Sequence, residues 1–201
     1  MKRIIFLLSL LILCAGLASL ASADTITFVS HPYGDPGPYQ MKVNSSFVWM
    51  VCASEYNKNS VGESWYVNVF NLDNVTGNGT FTSPTKADWN EAAWFADQLE
   101  LHPGNADLQN DIWTVLAIGG PGPGFDSYWK GLWDSQYSQT YVTKDSFYIP
   151  KPGDAWMIPG EQYPYGVPQP FISSPEPASL TLVAFGLLGT LKAGSRAKRS
   201  S

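Results

Sequence analysis

The apolar residues of this 201-residue chain change their period at Thr85, and that change limits what the chain can fold into. Before it, apolar, β-branched and aromatic residues gather in short runs: Thr25–Val29, Tyr39–Val43, Phe47–Cys52 and Ser64–Asn71. Turn formers separate them at His31–Pro38, Asn44–Ser46 and Thr76–Gly79, so the spacing predicts four strands. After it, Thr85 with Asp88 three residues on reads as a helix N-cap. Trp89, Ala92, Ala93, Ala96 and Leu99 then recur at helical spacing, and His102-Pro103-Gly104 stops that helix. Asn105 caps a second helix, with Leu108, Ile112, Val115 and Leu116 on one face, and Gly119–Gly124 ends it. After Phe125–Trp133 the chain reads as irregular and strand-like. Tyr141–Thr143 and Phe147–Ile149 read as strands, and the Pro-rich stretch 150–174 has Trp156–Ile158 as its last ordered candidate.

This order predicts an α+β ectodomain, a strand-dominated sandwich or barrel with an inserted pair of helices. It spans residues 24–174, enough chain to bury a core. The flanking segments are of another kind. Lys2 and Arg3 precede the apolar run Ile4–Leu13, and Ala21-Ser22-Ala23 fits a signal-peptidase site, so residues 1–23 are expected to be a signal peptide. At the other end Pro175-Glu176-Pro177 leads into uncharged Ala178–Leu191. A basic tail follows: Lys192, Arg196, Lys198 and Arg199. Residues 178–192 are expected to form a short C-terminal transmembrane helix with the basic tail in the cytoplasm.

The octet Pro175-Glu176-Pro177-Ala178-Ser179-Leu180-Thr181-Leu182 with its tail resembles the PEP-CTERM class of exported bacterial proteins. The resemblance covers residues 175–201. It implies recognition by an exosortase at Pro175, Glu176 and Pro177, transient membrane attachment through the C-terminus, and delivery to the cell surface or extracellular matrix. Such proteins are associated with exopolysaccharide and biofilm.

All seventeen acids lie between Asp24 and Glu176, whereas six of the twelve bases lie in the two end segments. The strongly acidic ectodomain is a poor partner for nucleic acid. Without Cys14, which lies in the signal peptide, Cys52 is its lone cysteine. An exported thiol has to be buried, paired between chains, or used.

Phe47–Cys52, Val61–Trp65, Asn90–Phe95 and Leu108-Gln109-Asn110-Asp111-Ile112-Trp113 resemble the thioester domains of Gram-positive surface adhesins, over roughly residues 40–116. That resemblance implies an internal thioester between the sulfur of Cys52 and the carboxamide carbon of Gln109, formed with loss of ammonia. Trp49, Trp65, Trp94 and Trp113 are expected to shield it. Asp111 stands where the family motif has alanine. On an ideal helix it lies roughly 200° from Gln109. The function implied is covalent attachment to an amine or hydroxyl on a surface ligand.

Other patterns carry less. Cys52 with His31 or His102 would make a nucleophilic dyad, but both histidines sit at turns. Asn71, Asp73, Asn74 and Asn78 miss the EF-hand spacing, and two histidines with one cysteine make no zinc motif. Glu91 has the chemistry of a general base but the place of a solvated helix residue. Asn44, Asn74 and Asn78 head N-x-Ser/Thr sequons of no expected consequence in a bacterial export context. No cofactor, metal or catalytic residue is expected, and the protein is read as non-enzymatic. The alternative is a non-covalent glycan-binding module for a polysaccharide, with Trp129, Trp133 and Tyr137 as one exposed stacking stripe.

Overall fold

The computed structural model describes residues 23–163 and 166–173. Residues 1–22 of the expected signal peptide, the Pro175-Glu176-Pro177 motif and the expected transmembrane segment lie outside the described residues.

Six strands form a closed barrel: β1 (Asp24–Ser30), β2 (Tyr39–Val43), β3 (Ser46–Cys52), β4 (Ser64–Phe70), β5 (Ser146–Pro150) and β6 (Phe171–Ser173). Their order around it is β1-β2-β3-β6-β5-β4, and every pairing is antiparallel. The α+β class and a strand-rich barrel bearing helices are as expected. Two details are not. Tyr141–Thr143 forms no strand. The closing strand, β6, lies beyond Trp156–Ile158 and was not anticipated. It is three residues long, follows Pro168 and Pro170, and is buried on both faces, so it shows no alternation to read.

Alternation sorts the side chains. Ile26 and Phe28, Tyr39 and Met41, Met50 and Cys52, Trp65 and Val67, and Phe171 fill the barrel. The opposite face of β3, β6 and β5 offers Val51, Ile172, Phe147 and Ile149 to a second core made with the helices.

Those helices are α1 (Lys86–Leu101), α2 (Ala106–Leu116) and α3 (Ser127–Leu132). Thr85 and Asp88 close a reciprocal capping box at the start of α1. Asn105 accepts from the N–H groups of Asp107 and Leu108 to start α2. Ala117 ends it in the left-handed region, at φ 46°. No element was expected over Ser127–Leu132, and the residues after Trp133, expected to be irregular and strand-like, begin in a helical turn. Asp126 caps α3, which runs on into a π-turn over Trp133–Tyr137. Its anchor is Trp133, buried against Trp94 with ring centroids 5.7 Å apart.

Candidate functional site

Cys52 is the last residue of β3 and faces the barrel interior, fully buried. Beyond it the chain is tied down. Ala53 N–H donates to the Pro170 carbonyl at 2.9 Å, and the Ser54 hydroxyl reaches the Ile118 carbonyl at 3.1 Å. The Gln169 amide donates to the Ser54 carbonyl at 3.2 Å. The thiol itself donates to the Ser54 carbonyl at 3.0 Å, while the Ser54 N–H approaches the sulfur at 3.4 Å.

Gln109 comes to this residue from α2. It is 1% exposed, and its Nε2 donates to the Cys52 carbonyl oxygen at 2.7 Å across 57 residues of sequence. The structure thus brings the Gln109 side chain onto the Cys52 backbone, while the Cys52 thiol bonds to the Ser54 carbonyl. Gln109 Oε1 is buried without a hydrogen-bond partner, which is unusual for a native interior and costs stability. Its neighbour is Gly37, in the loop between β1 and β2, where a Cβ would stand 3.5 Å from Oε1 and 3.0 Å from the Tyr39 ring. Gly37 has φ 68°, so glycine meets a conformational and a steric demand at once. Its carbonyl accepts from Gly104 N–H at 2.9 Å, which fastens this loop to the α1–α2 connection.

Burial pushes the Cys52 thiol up to about 12, opposed by the Ser54 N–H and then by the Trp113 side chain. The indole N–H of Trp113 itself completes no hydrogen bond. The cysteine is therefore a neutral thiol in the folded chain. Water is kept from it, and so is ionisation. Tyr39, packed edge-on to Phe28 and Phe171, is also raised well above its ordinary value, first by burial and then by Cys52 and Asp35.

The four tryptophans expected around the thioester divide. Trp65 is buried in the barrel core with Cys52, and Trp113 packs against that core. Trp49 does not: it is 43% exposed on the outer face of β3. Residues 49 and 52 are an odd number apart on one strand, so they face opposite ways. Trp94 belongs to the helical core with Trp133 and Tyr137. The stacking stripe fails for a related reason, since Trp133 turns inward and is 5% exposed. Trp129 is half-buried beside His102, and Tyr137 lies against Trp94. Asp111 is fully buried like Gln109, but on another side of α2. Its Oδ1 accepts from Asp126 N–H at 2.6 Å and so secures the start of α3.

A cleft of about 660 Å³ has Tyr39 and Trp113, both neighbours of Cys52, in its wall, while Cys52 and Gln109 themselves do not line it. Sequence reasoning missed it, together with Gly37, Tyr39 and Ser54. The Gly37-Pro38-Tyr39 step, where the His31–Pro38 turn runs into β2, was the available signal. Among the described residues no group of histidine, cysteine and carboxylate side chains is arranged to hold a metal ion, and no helix is long and apolar enough to cross a membrane. Comparisons with protein-family models, curated proteins and solved structures return no match.

Proposed function

We propose that this is an exported, exosortase-processed surface protein that attaches covalently to its target through a Cys52–Gln109 thioester. The observation that carries the reading is the 2.7 Å hydrogen bond from the Gln109 amide to the Cys52 carbonyl. That bond runs from the only carboxamide of α2's buried face to the backbone of the one residue bearing a thiol in the described chain, which supports the pairing. The bond would form as the sulfur adds to the Gln109 carboxamide carbon. The thiol proton passes to the amide nitrogen, the C–N bond breaks, and ammonia leaves. A thioester is neutral, so the burial that disfavours a thiolate does not disfavour the product. Exclusion of water by Trp65, Phe171 and Tyr39 would protect it from hydrolysis. The Pro175–Leu182 octet and its tail support the export and processing half of the reading.

Incubation of the purified protein with dansyl-cadaverine should leave a fluorescent label that survives boiling in detergent. Cys52→Ala and Gln109→Ala should each abolish it. Label of equal intensity in either variant would end the thioester reading.

A second reading, a non-covalent glycan-binding module, is favoured by one observation. Tyr33 and Trp49 are both exposed, with ring centroids 6.0 Å apart. Polysaccharide retention lost in Trp49→Ala and unaffected in Cys52→Ala would favour it over the first.

A further inference from the structure

The thioester reading leaves open how an acceptor reaches a bond whose two residues are sealed from solvent, and the cleft answers this. Its floor is aromatic: Phe28, Tyr39 and Trp113 line it, and the last two also border Cys52. Its rim is charged. Asp35, Glu55 and Lys58 line it with one negative charge in excess, and His31 stands among them beside Phe28. Among the described residues the side chains of Asp35, Glu55 and Lys58 have no hydrogen-bond or ion-pair partner. Two unpaired carboxylates above an aromatic floor suit a primary ammonium on an aliphatic stem. The stem lies along the rings and the cation meets both the π-faces and the carboxylates.

We propose that this cleft is the acceptor-docking site. Asp35 and Glu55 hold the ammonium of a lysine side chain, Phe28, Tyr39 and Trp113 take its methylene stem, and His31 takes its proton. This rests on the thioester reading. A displacement of the Tyr39 ring completes the path to Gln109. The Tyr39 hydroxyl donates to the Asp35 backbone carbonyl, so the residue that recognises the cation is tied to the one that closes the path.

The chemistry balances. The ammonium gives one proton to the His31 imidazole. The amine nitrogen adds to the Gln109 acyl carbon, and the C–S bond breaks with its electron pair on sulfur. A second proton moves from nitrogen to sulfur. The products are a secondary amide at Gln109 and a free thiol at Cys52.

The test compares adduct formation, followed by intact mass, for Nα-acetyl-lysine amide and for neutral hydroxylamine. The Asp35→Asn/Glu55→Gln variant should lose on the order of tenfold in rate with the lysine derivative, the cost of about 1.4 kcal/mol of lost charge attraction, while hydroxylamine reacts within about twofold of wild type. His31→Gln should slow the lysine derivative and recover as the pH is raised toward that of the free amine. An unchanged lysine rate in the carboxylate variant, or equal losses with both nucleophiles, would overturn the proposal while leaving the thioester standing. Wild-type protein that has lost no ammonia and forms neither adduct would remove the thioester and this proposal together.

Discussion

Opening the thioester should cost the fold a measurable part of its stability, and the size of that loss separates a covalent bond from a hydrogen bond. A bond between the Cys52 and Gln109 side chains closes a loop of 57 residues. The chain-entropy relation for a cross-link gives about 4 kcal/mol for a loop of that length. The hydrogen bond alone contributes only about 1 kcal/mol. For a domain of this size each kcal/mol moves the melting temperature by roughly 2–4 °C. Methylamine cleaves a thioester, leaving a methylamide on Gln109 and a thiol on Cys52, with no change in sequence. Treated protein should therefore melt roughly 8–16 °C below untreated protein in differential scanning calorimetry under reducing conditions. Cys52→Ser should show a similar loss. A change of less than about 4 °C in both would mean that only the hydrogen bond exists, and the covalent argument would fail.

Three further outcomes follow from the same geometry. Gly37→Ala forces a side chain into the left-handed region and against the Tyr39 ring, which should cost about 2–4 kcal/mol in denaturant unfolding and also lower thioester yield. Burial raises Asp111 to about 7 and Asp145 to about 8. Unfolded, each releases its proton near pH 4, so between about pH 4 and 8 the folded chain holds more protons than the unfolded one and stability falls as pH rises. Asp145→Asn should flatten the upper part of that decline in a pH series of melting curves. The Tyr141 hydroxyl donates to Asp97 Oδ2 at 2.6 Å, so Tyr141→Phe should lose about 1–3 kcal/mol by urea titration, with amine labelling preserved.

The first four strands and the two capped helices were legible because each carries its own local signal. Ile26 and Phe28 alternate with polar residues, Thr85 and Asp88 form the box that their spacing promises, and Asn105 caps as read. The rest depends on contacts distant in sequence. β6 exists because Phe171 and Ile172 complete two cores at once, one on each face. α3 and its π-turn are held by Trp133 on Trp94 and by Asp111 at the Asp126 N–H, not by helical propensity. At the site, Cys52 and Gln109 could be paired only through the resemblance to thioester domains, since nothing in their spacing brings them together. Trp49, by contrast, could have been excluded by strand parity. The cleft joins the His31–Tyr39 loop to Glu55, Lys58, Trp113 and Gln169, a grouping that no single segment records.

The most direct measurement of the central claim is the intact mass of the native protein. The account predicts a mass lower than that of the processed chain by one ammonia, with the deficit mapped to the linked Cys52 and Gln109 peptides and abolished by Cys52→Ala. Protein at the full mass of its sequence, with a titratable thiol at Cys52 after unfolding, would contradict it.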